Sequence, residues 1–558
     1  MYILADNITS PLGNTTSQNY LTVKAGRSAL RQYQADDIST ESYTAARFTQ
    51  EQWDEMAING LTRFEALAAC SAQRAIRNAG IDITRDDVVF ILSTTKANIE
   101  NLTTGDEPQE AFTPSTAAEH IAAYLGVTST PIVVCNACIS GLAAIITANR
   151  LLESKAYKYA AVCGADVLSR FTFSGFQSLK ALSADECRPF DIERIGLNLG
   201  EAAATIVLSD QPSEFHIAKG AIRNDAFHIS SPSKNADGAF LALQDIGAKE
   251  ISEDLAFVNA HGTATLFNDQ MEAVALSRAG LSHVPTNSLK SYFGHTMGAA
   301  GVLETIISLE ALKDNIVLAS RGFEENGTSV DVNIISENRP TTNKAFIKMI
   351  SGFGGGNAAI LVTQKVADTP EIAHTQQCHI HTSHSITINP HRATLDGQML
   401  DINDTRKNLL VEIYKRFIGD YPKFYKMDPL SRLGFVASEL LLRNVKEKVE
   451  SIILFNNSSS VIADKNYWAT AIDKDNSFPS PAHFVYTLPN IVTGEIAMRN
   501  GIHGETSFYI IPTKDKNVID KIIYSFTLQE SFSSAITGWI DYPDDEHFSA
   551  ELRIIRKS

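Results

Sequence analysis

Short, almost wholly apolar runs recur through the first part of this chain: VVFILSTT (88–95), PIVVC (131–135), YAAVCGAD (159–166) and AATIVLS (203–209). Each reads as a buried strand. Amphipathic helical stretches lie between them. FEALAACSAQRAIRNAG (64–80) carries Arg77 near its end and Gly80 as a stop, and GLAAIITANRLLES (141–154) is a second helix. Strand-helix alternation of this kind predicts an α/β architecture with largely parallel, buried sheets. At 558 residues the chain exceeds one ordinary domain, and two to four units are expected.

The polar stretch 366–386 follows the run ILVTQ (360–364) and breaks the rhythm, so a domain boundary is expected there. A second α/β unit follows. It has helices over DTRKNLLVEIYKRFI (404–418) and SRLGFVASELLLRNV (431–445) and a strand at SIILFNN (451–457). That helix-then-strand order matches the pair 62–80 and 88–95, a partial internal repeat. The expected organisation is a first domain over 1–365, a linker and start of the C-terminal unit over 366–407, and a smaller α/β domain over 408–558.

Composition excludes several functions. Lys+Arg 48 against Asp+Glu 64 leaves a net charge of -16, a field that repels nucleic acid and anionic membranes. No apolar run reaches the roughly eighteen residues that span a bilayer. The start, MYILADNITSPLG, lacks the charged and apolar regions of a signal peptide. The expected location is the cytoplasm, where the six cysteines are reduced thiols.

The sharpest local feature is VCNACISG (134–141), an apolar strand running through a turn into a small-residue helix. A cysteine there lies near helix N–H groups and the positive end of the dipole, which favour a thiolate. Ala137, Ser140 and Gly141 are small enough to let a long substrate approach. A buried structural cysteine and a Cys-x-x-Cys redox pair are the alternatives. Three further glycine-rich turns end strands: NAHGTAT (259–265), NSLKS (287–291) with GHT (294–296), and SGFGGGN (351–357). Turns at strand ends are where α/β folds build sites.

Taken together, Cys138 in NACISG, His261 in HGTAT, Lys290 and His295 in KSYFGHT, and GFGGGN (352–357) resemble the β-ketoacyl-ACP synthases. CRPFDIERIGLNLGEAAATIVL (187–208) is similar to the same family's signature, with Ala202 where glycine is usual. The resemblance covers 1–365. It implies a thiolase fold of two similar halves in five αβαβα layers, and decarboxylative Claisen condensation of an acyl thioester with malonyl-ACP. It further implies Cys138 as nucleophile, an oxyanion hole from the Cys138 and Phe353 backbones, and His261 and His295 as donors to the malonyl thioester. Lys290 would tune the histidines and Glu304 would partner that lysine. Phe353 would gate the acyl pocket, while Thr263 and Thr265 would bind the pantetheine arm.

The C-terminal stretch 479–511 resembles the approach to a synthase active-site turn, with Gly501-Ile502-His503-Gly504 in the place of Cys138-Ile139-Ser140-Gly141. Gly501 would then replace the nucleophile in a degenerate half-synthase. Such a half-fold has apolar surface to cover, by packing on the first domain or on a partner. Cys378, His379, His381 and His384 match no zinc pattern and read as a solvated edge strand.

The leading expectation is an acyltransferase in fatty acid or specialised polyene or polyketide synthesis, with aryl-polyene and resorcinol-type pigments as examples. The alternative is a non-catalytic partner that shapes another synthase's pocket. A degradative thiolase is rejected, because GFGGGN and a His-His pair replace its second cysteine. Acyl- and malonyl-loaded carrier protein is the implied partner, docking on a basic patch for which Arg63, Arg74 and Arg150 are candidates. A homodimer, or a heterodimer with a ketosynthase-like subunit, is expected. The chemistry requires no cofactor and no metal.

Overall fold

One five-stranded pattern is built three times along the chain. The computed structural model describes residues 1–364, 379–402, 409–443, 445–473 and 479–557. The first sheet holds β1 (Tyr2–Thr9), β2 (Val88–Ser93), β3 (Ile132–Val134), β4 (Tyr159–Asp166) and β5 (Ala202–Ser209). Its order is β1-β5-β4-β2-β3, with β4, β2 and β3 parallel and β5 antiparallel to both neighbours. The second sheet holds β6 (Phe215–Asn224), β7 (Leu255–Asn259), β8 (Thr286–Asn287), β9 (Ala345–Gly352) and β10 (Gly356–Gln364). Its order, β6-β10-β9-β7-β8, repeats the same directions. The sheets are therefore mixed rather than largely parallel. The short 353–355 connection between β9 and β10 cannot cross a sheet and can only close an antiparallel hairpin.

Helices α3 (Ser140–Glu153) and α6 (Ala300–Lys313) are buried on nearly every side, as helices between two sheets must be. Helices α1 (Arg63–Ala79) and α2 (Pro114–Leu125) cover the first sheet from outside. The helix over Asp237–Asp245 and α5 (Leu266–Arg278) cover the second. The result is the five-layered αβαβα arrangement. A Cβ on Gly301 would lie 2.4 Å from the Leu142 nitrogen, and one on Gly141 would lie 2.9 Å from the Gly298 oxygen. The first turns of α3 and α6 thus meet backbone to backbone. Gly141 serves this contact, not the substrate approach expected of it.

The third sheet belongs to the C-terminal unit: β11 (Ile380–Asn389), β12 (Ser451–Asn456), β13 (Thr506–Ile510), β14 (Ser534–Asp541) and β15 (Ser549–Lys557). Its order is β11-β15-β14-β12-β13, again with the same directions. The unit's sheet therefore includes β11 from Ile380, inside the 366–407 stretch expected to hold the linker and the unit's start. The expected boundary at 366 and Cys378 lie outside the described residues. His379 and His381 are exposed at the start of β11, whose later residues Ile386–Asn389 pair with Arg392–Leu395 and so are not at an edge, and His384 Nδ1 lies 2.9 Å from Asp396. Of the helix expected over 404–418, the described part is helical over Leu409–Ile413 and continues as a π-turn over Tyr414–Ile418. The helix expected over 431–445 spans Pro429–Leu442.

Strand β13 pairs antiparallel with β3, Tyr509 opposite Val134 and Ile510 opposite Val133, so the first and third sheets form one continuous sheet. This reciprocal register makes Ile510 the counterpart of Val134. The same step along each chain that leads to Cys138 leads to Lys514, and helix α11 (Lys516–Thr527) starts where α3 does. Gly501 is therefore not at the nucleophile's place. It caps the preceding helix α10 (Ile491–Asn500) at φ 58, as Gly126 caps α2 at φ 79. Lys514 is bound to Glu551 at 2.7 Å.

The C-terminal unit packs on the first domain, but its other face is not left apolar. Strand β5 is buried at every residue, whereas β15 alternates buried with exposed or half-buried ones. Lys514–Glu551 and Arg553–Asp520 occupy that outer side. A sheet with one wet face reads this way. Across the junction, Arg150 forms a two-pronged pair with Glu505 at 2.9 and 2.8 Å, both side chains buried. Lys96 pairs with buried Asp464 at 2.5 Å. Removing one member of a buried pair strands the other. Arg150→Ala is therefore expected to cost roughly 3–5 kcal/mol in urea unfolding; a cost inside experimental error would show that the pair does not couple the units.

Candidate active site

Cys138 lies in a single 3-10 turn, Ala137–Ile139, wedged between β3 and α3. Ala137 takes φ 50, the left-handed region an alanine rarely adopts, and so forces the sharp turn that presents the next side chain. A Cβ on Gly352 would lie 3.1 Å from the Cys138 nitrogen, so the end of β9 sits against the Cys138 N–H. Burial pushes the Cys138 thiol up to about 12, with Lys290 pulling it back and Asp166 adding to the rise. Burial thus works against the thiolate that the helix N-terminus favours. Cys135 is no redox partner, since its Sγ donates to the Thr95 carbonyl at 3.5 Å.

His295 Nε2 lies 3.0 Å from Cys138 Sγ. Its Nδ1 accepts the Met297 N–H at 3.3 Å, which places the ring proton on Nε2. His261 crosses His295 edge to face, ring centroids 5.0 Å apart. Burial first, then Lys290, hold both imidazoles well below their ordinary range, so both are neutral. His261 Nδ1 is buried without a partner among the described residues. A ligand group that satisfies it recovers that penalty. The ligand atoms of Cys138, His261 and His295 lie within 4.8 Å of one another, the one set of its kind among the described residues that could hold a metal. The fields of Lys290 and Lys348 oppose a cation there.

Glu304 ties the support together. It pairs with Lys290 through one oxygen and with Lys348 at 2.6 Å through the other, all three buried. Burial alone would raise this carboxyl; the two lysines hold it below its ordinary range. Lys348 also donates to the Ala260 carbonyl at 3.1 Å, and burial lowers its ammonium to about 8. Lys348 was missed by sequence reasoning, although a lysine inside the apolar run AFIKMISG (345–352) signals a buried partner. Glu272 was missed too. It accepts the His261 and Gly262 N–H groups at 2.7 Å each and so fixes the histidine's turn.

A channel of about 340 Å³ leads to Cys138, His261 and His295. Thr263 and Thr265 line it, their hydroxyls 2.9 Å apart. Exposed Ile195, Leu266 and Phe267 ring its mouth with Lys180. Beyond Cys138 a small apolar cavity continues between Thr95, Met297 and the C-terminal residues Phe484, Thr487 and Leu488. Phe353 and Phe176 line both spaces, their rings stacked 6.1 Å apart, and form the partition. All the residues expected at the site converge here, Lys290 and Glu304 behind the histidines rather than on the channel.

Two buried carboxyls, Glu272 behind His261 and Glu201 on the Phe48 and Leu168 N–H groups, give the first domain a pH dependence. Burial raises Glu201 and Glu272 each to about 7, Asp269 adding to the rise at Glu272. Their protons bind more tightly in the folded than in the unfolded chain. The stability they confer is present below the ordinary carboxylate range and is lost as pH rises through about 7. The melting temperature is expected to fall by roughly 1–4 °C between pH 6.5 and 8. A flat profile in calorimetry would mean that both carboxyls ionise without cost.

Comparison with known proteins matches this geometry. Residues 2–213 match the family model "Beta-ketoacyl synthase, N-terminal domain", and residues 215–324 match "Beta-ketoacyl synthase, C-terminal domain". Nodulation protein E of Rhizobium meliloti is 29% identical over 346 residues, covering 56% of this chain and 85% of the relative. The 3-oxoacyl-[acyl-carrier-protein] synthase 2 of Vibrio cholerae is 29% identical over 401 residues, covering 63% and 96%. Among solved structures, the PfaC keto synthase-chain length factor covers 100% of this chain and 78% of its own at TM-score 0.80 and 12% identity, a likeness of fold. With the Cys-His-His convergence, the thiolase fold and both halves of the family model in place, the chain belongs to the β-ketoacyl synthases, enzymes of the acyltransferase type.

Proposed function

We propose that this synthase extends a carrier-bound acyl chain by decarboxylative condensation with malonyl-loaded acyl carrier protein, in a specialised polyene or polyketide pathway of the aryl-polyene or resorcinol kind. The observation that carries the reaction is Cys138 Sγ, 3.0 Å from a neutral His295 Nε2–H, at the end of a channel shared with His261. Cys138 Sγ attacks the acyl thioester, and its proton passes to the departing carrier sulfur, which leaves as the thiol. Malonyl carrier then loses CO2, and the enolate oxygen takes hydrogen bonds from the two histidines. The carbanion attacks the Cys138 thioester, which releases the Cys138 thiolate and a β-ketoacyl carrier. The Cys138 and Phe353 N–H groups serve the oxyanion, and Thr263 and Thr265 the pantetheine arm.

The pathway assignment rests on the C-terminal unit. Its strand order repeats that of the first sheet, and Lys514 stands where the nucleophile would be. We read it as an inactive half-synthase that closes the acyl cavity with Phe484, Thr487 and Leu488. The non-catalytic reading thus fits this unit rather than the first domain. It also occupies the edge of β3 that a second copy would need, so we assign the partner's role there to the chain's own C-terminal unit. Carrier protein docks at the channel mouth. Arg150 is buried in its ion pair and unavailable to it, while Arg74 donates to the Asn14 carbonyl and Arg63 lies over Trp53. No helix among the described residues is long and apolar enough to cross a membrane.

Cys138→Ala is expected to abolish acyl-enzyme formation, seen by intact mass, and condensation with it, while malonyl-carrier decarboxylation persists. His261→Ala and His295→Ala should each lower decarboxylation by roughly 10²–10³-fold. Condensation surviving in Cys138→Ala would sink the assignment. Phe484 packs 5.6 Å from Phe176 at the wall of the cavity. Phe484→Ala should shift products longer by roughly one two-carbon step; an unchanged product profile would mean that the cavity's end lies elsewhere.

A further inference from the structure

The turn between β9 and β10 carries Phe353, and the C-terminal unit grips it directly. The peptide after Phe353 is held at both ends. Its carbonyl accepts from Asn490 Nδ2 at 2.9 Å, and its N–H, that of Gly354, donates to the Ile229 carbonyl at 2.7 Å. The next carbonyl, Gly354 O, accepts from Asn224 Nδ2 at 2.8 Å. Asn224 is itself tied to the C-terminal unit: Nδ2 also donates to Thr506 Oγ1 at 2.9 Å, and its N–H donates to the His503 carbonyl at 3.1 Å.

The fit leaves no slack. A Cβ on Gly494 would lie 2.6 Å from Gly354 O, and one on Gly354 would lie 2.6 Å from Asn490 Nδ2. Asn490 is 5% exposed, and its Oδ1 has no partner among the described residues. Leaving a buried amide half-satisfied is costly, so its other half, the bond to Phe353 O, carries the weight of keeping the residue.

We infer that Asn490 is a positioning residue for acyl transfer to Cys138. It touches neither substrate nor reacting atoms. By fixing the peptide after Phe353 it sets the torsion on that side of the residue. That torsion places the ring between channel and acyl cavity, and steadies the Phe353 N–H beside the Cys138 turn. The C-terminal unit thereby governs the competence of an active site that contains none of its own catalytic side chains. This rests on the synthase mechanism proposed above.

Asn490→Asp is the decisive variant. It is nearly isosteric, but it turns a donor into an acceptor facing a carbonyl oxygen. In the full-length protein, single-turnover acylation of Cys138 by acyl carrier at saturation should fall roughly tenfold, with half-saturation unchanged within roughly twofold. Alkylation of Cys138 by iodoacetamide needs no oxyanion hole and should stay within roughly twofold of wild type. Acylation at the wild-type rate, or acylation and alkylation falling together, would overturn the proposal. Hydrogen exchange across 351–357 supplies a readout without turnover: protection of Gly354 should drop in Asn490→Asp, and equal protection would overturn the claim. A wild type that never acylates, yet loses this protection in the variant, would fault the synthase mechanism and leave Asn490's hold on the turn standing.

Discussion

The contact on which this structure depends is the backbone crossing of α3 and α6 at Gly141 and Gly301. Two helices buried between sheets ordinarily keep their axes apart by the width of their side chains. Here the absence of side chains at the crossing lets the two first turns touch. Each of those turns follows a functional residue: Cys138 precedes α3, and His295 precedes the turn that starts α6. The 3.0 Å separation of sulfur and imidazole is therefore a consequence of helix packing. A methyl group at either glycine would drive apart the helices and, with them, the Cys138 sulfur and the His295 ring.

Behind that contact the molecule keeps charge where water cannot reach it. Glu304 binds two lysines, and Glu272 binds the backbone of the His261 turn. Isolated, Glu304 or either lysine would be expensive to bury as an ion. Joined, they fix the strand ends around two imidazoles that stay neutral. Neutral imidazoles suit the chemistry, because one nitrogen of each keeps a proton to donate to a developing oxyanion.

The third copy of the sheet extends the same logic. An open strand edge at β3 would invite pairing with another chain. The chain covers that edge with its own β13, and the buried Arg150–Glu505 and Lys96–Asp464 pairs lock the register of the junction. What the third copy does not retain is equally informative. Its β15 has one polar face, so no further half-fold is needed to cover it. Lys514 stands at the position that corresponds to Cys138, and the unit reaches the site through walls and turns: Phe484 lines the cavity and Asn490 bonds the Phe353 carbonyl.

Much of this was legible in the residues. The buried strands and the helices α1 and α3 follow from local pattern, and α1 even carries its capping box and αL glycine. Cys138, His261, Lys290, His295, Phe353 and the threonine pair were visible because each sits in a glycine-rich turn of distinctive composition. Lys348, Glu272 and Asn490 were not, because a single polar residue in a strand or helix says nothing of what it faces across the fold. Local spacing was enough for the α/β alternation of the first domain, and the composition of its glycine-rich turns was enough for the family resemblance that points to the candidate side chains. Only tertiary contacts set the antiparallel strands, the burial of Cys138, the place of Lys514 and the reach of the C-terminal unit into the site. Those depend on burial and on contacts between residues hundreds of positions apart, which local spacing does not encode.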